Sequence, residues 1–201
     1  MGKLLGLNEY LKENYDKSIF DQALNSGQPW VFHLSAQRSI GATIKENLKF
    51  DLKIDSEEKG EEIIPKLQVK LLHPVDLSDS VKSLIKVDEK VKAPGLAPTP
   101  YRSRRYYIKN KTLFPLMQEK EVVFFTLLEG EIIRGLITWF SKYEITVSLK
   151  GGIPVTILRH GIYDLRNKQG RCFMKLFQQK HKDWKSSSLF IEEIAEVKNQ
   201  T

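Results

Sequence analysis

The sequence predicts a mostly β protein with flanking α-helices, built as two small, five-stranded, strongly bent antiparallel barrels in tandem, each preceded by a short helix. Three observations predict it. Residues 122–165, VVFFTLLEGEIIRGLITWFSKYEITVSLKGGIPVTILRHGIYDL, fall into five short apolar–polar runs with almost nothing between them, and alternation at period two is the signature of strands. Glycines stand where such strands turn or bend, at Gly130, Gly135, Gly151 and Gly152. Residues 29–72 echo the segment at an offset of 93 residues, without a gap.

The offset aligns residue types that matter to a strand. Phe32 falls on Phe125, Leu34 on Leu127, Ile40 on Ile133, Ile44 on Ile137, Ile64 on Ile157, Val69 on Ile162 and Leu72 on Leu165. Lys49-Phe50-Asp51 falls on Lys142-Tyr143-Glu144, and Lys66 on Arg159. An ungapped register of this length reads as a duplication.

Taken in order, residues 1–18 are a helical segment, and residues 18–25 (SIFDQALN) a short helix before the first copy. The first, divergent unit occupies 19–75, the linker 76–110, the second unit 111–167 and a helical basic tail 168–201. In the second unit a helix over 113–120 precedes strands at 122–128, 131–140, 143–150, 153–158 and 162–165. Glu129-Gly130 makes a tight turn with glycine at positive φ. Gly135 lets its strand bend sharply, and Gly151-Gly152 makes the next turn. Five short bent strands are expected to close into a barrel.

The linker reads differently. Residues 81–92 (VKSLIKVDEKVK) form a candidate helix, and 93–100 (APGLAPTP) break regular structure with three prolines and a glycine. Residues 101–107 (YRSRRYY) interleave three arginines with three tyrosines. In the tail, Phe173, Leu176 and Phe177 recur at helical spacing beside Lys175, Lys180 and Lys182, and serines 186–188 cap an amphipathic stretch at 189–197.

Charge narrows the function classes. The net charge is +7, unevenly spread. Residues 1–75 carry 10 basic and 11 acidic side chains, residues 76–120 carry 10 and 5, and residues 121–201 carry 12 and 9. A basic middle and C-terminal part attracts polyanions, nucleic acid first. No apolar run approaches the roughly 18–20 residues of a membrane span, and the N-terminus lacks a secretory pattern. One cysteine, Cys172, excludes an internal disulfide, so a cytoplasmic setting is the expectation. No nucleophile–base pair, phosphate loop or metal-ligand spacing is visible: His33, His73, His160 and His181 stand apart in sequence, and the carboxylates of 55–62 (DSEEKGEE) read as a solvated turn. The chain is therefore read as a non-enzyme without cofactor, metal or small-molecule substrate.

A helix, then five bent strands with G-E-x-x-x-G at the first hairpin and ILRHGIYDL at the end, resembles the Hfq and Sm-like family of RNA-binding proteins. The likeness covers residues 112–165 closely and 19–72 loosely; the first copy has Gln37, Ala42 and Leu67 where the second has Gly130, Gly135 and His160. The resemblance implies subunits joined by strand edges into rings, and uridine-rich RNA bound near the pore. Carried over by motif position, Tyr143 stacks a base, with Lys142 beside it and Arg159 and His160 contacting base and phosphate. Lys49, Phe50 and Lys66 are what the first copy keeps. The residues themselves suit that chemistry: aromatic faces stack on unpaired bases and cations neutralise phosphate. The linker's Tyr101, Arg102, Arg104, Arg105 and Tyr106 suit it too.

The reading is thus an RNA-binding protein for single-stranded U- or A-rich RNA, acting as a chaperone or post-transcriptional regulator. Three chains could supply a six-fold pseudo-ring, and no membrane partner is expected. The rival reading keeps the fold as a scaffold for protein partners; a basic tail on a membrane surface is a third.

Overall fold

Strands built from alternating residues have one face to bury and two edges to satisfy, and both needs are visible in the architecture. The structure is a computed structural model and describes residues 2–192. It opens with β1 (Lys3–Leu4), α1 (Leu7–Asn14) and α2 (Ile19–Ser26), the last capped by the Ser18 hydroxyl, which accepts from the Phe20 N–H. The first copy is β2 (Trp30–Leu34), β3 (Ser39–Asn47), β4 (Asp51–Ser56), β5 (Gly60–Pro65) and β6 (Val69–Pro74). The connection holds α3 (Ser78–Leu84), β7 (Lys86–Val87) and α4 (Glu89–Lys92), and α5 (Asn110–Gln118) leads into the second copy. That copy is β8 (Val122–Leu127), β9 (Glu131–Phe140), β10 (Glu144–Ser148), β11 (Pro154–Leu158) and β12 (Ile162–Asn167); α6 (Lys175–His181) and β13 (Phe190–Ile191) follow.

The five strands of each copy recur at the 93-residue offset. β6 coincides with β12 end to end, and the 3-10 turn Lys66–Gln68 coincides with Arg159–Gly161. All strands pair antiparallel. One path runs β12-β8-β9-β10-β11-β6-β2-β3-β4-β5, with β7 added to β9. Within each copy the fifth strand lies beside the first.

This corrects the expected closed barrels. Neither copy closes on itself. β11 pairs instead with β6 of the other copy, at Thr156↔Leu72 and Ile157↔Leu71. An edge is satisfied equally by its own sheet or by a neighbour's, and here the neighbour is the same chain. The two cores interlock at that seam. Phe20, Ala23, Phe32, Leu34, Leu52 and Ile54 form one buried cluster that takes in Leu158 of the second copy. Leu113, Phe125, Leu127, Ile133, Phe140 and Ile145 form the other, which takes in Leu71 of the first.

The expected helix over 81–92 is split. Lys86 and Val87 pair with Ile132 and Glu131 of β9, and the Asp88 carboxylate then accepts the Lys90 N–H to start α4 afresh. Tyr143, expected to begin a strand, lies in the turn before β10. Phe190 and Ile191 pair with β1 rather than continuing a helix; residues 193–197 of the expected amphipathic stretch lie outside the described residues.

Gly135 permits a backbone crossing. A Cβ there would run into the Ser148 carbonyl and the Val147 side chain of β10, where the ladder shifts register. Gly135→Ala is expected to cost about 1–3 kcal/mol in denaturant unfolding. Gly41→Ala in the first copy meets open space and is expected to stay within about 0.5 kcal/mol of the parent.

Candidate nucleic-acid interface

Each copy carries the same turn after its second strand. In the first, the Leu48 N–H donates to the Asp51 carbonyl (3.1 Å) and the Lys66 N–H to the Phe50 carbonyl (2.9 Å). In the second, Ser141 donates to Glu144 (3.0 Å) and Arg159 to Tyr143 (2.8 Å), at positions 93 residues on. The turn lifts one aromatic ring off the sheet in each copy: Phe50 is 70% exposed and Tyr143 58%. Lys49 Nζ lies 5.2 Å from the Phe50 ring centre, and Lys142 Nζ lies 5.2 Å from the Tyr143 ring centre. A cation at that distance is within range of the ring quadrupole.

The basic residue behind each turn differs between copies. Arg159 lies over the Phe140 ring, 5.5 Å away. Its Nη1 donates to Asn110 Oδ1 at 3.0 Å, while Nε and Nη2 are shut from solvent with no hydrogen-bond partner. Burial lowers its pKa to about 10. A small cavity between Tyr106, Tyr107, Ile108 and Ile162 meets this guanidinium. Lys66, its counterpart, donates to the Leu48 carbonyl and lies 5.5 Å from the Phe20 ring. Burial lowers its pKa as well.

His160, expected at the RNA, is committed elsewhere. Its Nε2–H donates to the Val69 carbonyl of the first copy at 2.9 Å. Burial, aided by the charge of Arg105, holds it down to about 4. The ring is thereby neutral at pH 7 and pins the two copies together. Next to the Tyr143 turn, Glu144 does similar work. Its buried carboxylate accepts the Ser18 hydroxyl (2.9 Å), the Ile19 N–H (2.8 Å) and the Ser141 hydroxyl (3.3 Å). It thus anchors the N-terminus of α2, where negative charge meets the helix dipole. Burial nonetheless raises its pKa.

The linker arginines and tyrosines are only partly assembled with the site. Tyr106 stands edge-on to Tyr163 (5.1 Å) and beside Arg159. Arg104 lies over Tyr101, and Arg105 bonds the Thr99 and Pro100 carbonyls. Tyr101 is exposed; the Arg102 side chain lies outside what is described.

The structure also pairs residues that the sequence keeps apart. His33 and His73 meet Nε2 to Nε2 at 3.1 Å. His73 Nδ1–H donates to the Pro74 carbonyl (2.8 Å), so its Nε2 accepts from His33, whose Nδ1 accepts from Ser39. The pairing of β2 with β6 creates this contact, and only knowledge of that pairing could have found it. Near it, a cavity of about 160 Å³ is lined by His33, Arg38, Lys70, Glu129 and Glu131 among others. Lys70 is buried and paired with both carboxylates, 2.6 Å from Glu129. Burial alone would raise the Glu129 pKa, but Lys70 and the N–H groups of Ala36 and Gln37 bring it down. Among the described residues, no group of three or more His, Cys, Asp or Glu is arranged to hold a metal ion, and no helix is long and apolar enough to cross a membrane.

No family model, curated protein or solved structure matches this chain.

The neutral imidazoles make stability pH-dependent. His33 and His160 titrate near about 4 when folded and near about 6.5 when unfolded. The unfolded chain binds more protons between those values, so stability present above pH 6.5 falls as pH drops toward 4. Glu144, raised, acts with the opposite sign. Thermal unfolding at pH 7.5 and 5 is expected to show a lower Tm at pH 5. His160→Gln should shrink that difference, and Glu144→Gln should enlarge it.

Proposed function

We propose that this chain binds single-stranded U- or A-rich RNA through two Sm-like units fused in one chain, by base stacking and phosphate neutralisation, without covalent chemistry. The observation that carries the reading is the exposed aromatic with a lysine over it, at the same turn of both copies with the same geometry. Recurrence in the divergent copy argues that the pair is kept for what it presents. A base stacked on each ring gains about 1–3 kcal/mol. In this reading Lys49 and Lys142, each 5.2 Å from its ring, neutralise the adjoining phosphates.

Arg159 contributes from behind the Tyr143 turn. Its two unpartnered nitrogens keep a positive charge poorly compensated by protein groups. Lys66 spends its ammonium on the Leu48 carbonyl, whereas Arg159 keeps two nitrogens without a protein partner, so the second copy is the stronger site in this reading. His160 contacts the first copy and serves as a positioning residue. RNA chaperone or post-transcriptional regulator is the role that fits a binder of this kind.

A scaffold reading also has an observation in its favour: His160 and Lys66 both spend their polar groups on backbone carbonyls. Fluorescent oligo-U titration at two salt concentrations separates the two. Tyr143→Ala is expected to weaken binding by about 1–3 kcal/mol, with a smaller effect from Phe50→Ala. Lys142→Ala is expected to flatten the slope of log affinity against log salt by about 0.7. Absence of binding at low salt, or unchanged affinity in the Tyr143→Ala/Phe50→Ala double variant, supports the scaffold instead.

A further inference from the structure

The sheet has two ends, and they are treated differently. At β12 the outer edge is covered by the chain that follows it. Phe173 donates its N–H to the Leu165 carbonyl (2.8 Å), Asn167 donates to the Arg171 carbonyl (3.2 Å), and Arg166 forms an isolated bridge with Cys172. Phe173 and Met174 are buried in the second core, so this cover is built in. At the other end β5 is the last strand of the path, and Ile63 in its middle is 63% exposed.

The covered end bears on assembly. Head-to-tail addition, which three chains in a ring require, would need β5 of one chain to reach β12 of the next, where residues 171–173 already sit. Among the described residues the remaining edge is open, and the seam inside the chain shows what such an edge accepts. Thr156 and Ile157 of β11 take an antiparallel strand, and their counterparts 93 residues earlier are Ile63 and Ile64 of β5. A single open edge closes an assembly of identical chains only by meeting itself across a two-fold axis.

We propose that β5 is a dimer edge, pairing antiparallel with β5 of a second copy about an axis at Ile63. That register sets Ile63 opposite its counterpart, Glu62 opposite Ile64 and Glu61 opposite Pro65. No carboxylate then directly faces a carboxylate, the arrangement that penalises cross-strand pairs. Acidic charge beside the edge is already partly neutralised, by Lys53 on Glu61 (2.9 Å) and Lys45 on Asp55 (3.1 Å). A register centred on Glu62 would bring like charges together. Pro65, without an N–H, limits the pairing to this short stretch. The covered β12 ends would face outward, leaving neither end of the main strand path bare among the described residues.

The inference is independent of RNA binding, and the full-length chain tests it. Light scattering in solution is expected to give twice the chain mass. Ile63→Lys, which sets two ammonium groups across the axis at an exposed position, is expected to give the single-chain mass with an unchanged circular dichroism spectrum. In a Cys172→Ser background, Ile63→Cys is expected to form an interchain disulfide under mild oxidation, and Lys59→Cys is not. A monomeric parent, a three-chain mass, or a dimer that survives Ile63→Lys without a disulfide at position 63 overturns the proposal.

Discussion

The pairing of β11 with β6 is the contact on which the rest of the structure depends. A five-stranded unit in this strand order has two bare edges, each a row of unsatisfied N–H and C=O groups. Joining two units removes two of the four edges and turns a repeat in sequence into one sheet. The seam then organises its surroundings. Leu158 enters the first core and Leu71 the second. His160 reaches the Val69 carbonyl, and Glu144 holds the start of α2. None of these contacts exists if the copies drift apart, so each copy is completed by the other.

Duplication followed by such joining makes equivalent positions unequal. Lys66 and Arg159 occupy the same 3-10 turn, and both send their backbone N–H to the carbonyl of the exposed aromatic residue. Their side chains go different ways because their neighbours differ. Lys66 meets the Phe20 ring of α2 and a strand-end carbonyl. Arg159 meets Phe140, Asn110 and the linker tyrosines, which have no counterpart in the first copy. The N-terminal α1 adds to the difference. The Lys142 N–H donates to the Tyr15 carbonyl, and Trp139 Nε1–H donates to Asn14 Oδ1. The second copy's turn is thus braced by α1, where the first copy's turn is braced by α2, whose Asp21 accepts from Asn47 Nδ2 (2.5 Å).

The sequence makes local pattern legible and partnership illegible. Period-two alternation and turn glycines locate β9 at its true bounds and the other four strands of the second copy within a residue or two, because a strand's faces are written in its own residues. The exposure of Tyr143 and Phe50 comes instead from the turn, since β10 begins only at Glu144 and β4 at Asp51. Which edge meets which is decided by residues far apart. β11 could pair with its own copy's fifth strand or with the other copy's, and alternation is the same in both cases. For that reason closure was expected where joining occurs. The same limit hides the His33–His73 contact, 40 residues apart, and the assignment of His160 to a backbone carbonyl. Short β7 hides for a different reason: two residues carry too little pattern, and helix-forming neighbours outweigh them until β9 offers a partner.

Lys70 shows how the seam keeps its register. It lies on β6 with a side chain only 2% exposed, between Glu129 and Glu131 of the second copy's first hairpin. Such a buried ion group contributes little net strength, since desolvation offsets much of its attraction. The apolar exchange of Leu71 and Leu158 is the better source of cohesion. What the ion group supplies is selectivity. A slip of one residue would turn Lys70 to the opposite face, leaving an unpaired ammonium in a core, and removing one partner of a buried pair costs about 3–5 kcal/mol. Strand pairing alone tolerates several registers; a buried lysine with two waiting carboxylates tolerates one. The turns bearing Phe50 and Tyr143 are both hydrogen-bonded to strands of this single sheet, so the register that Lys70 selects also sets the spacing between the two exposed rings.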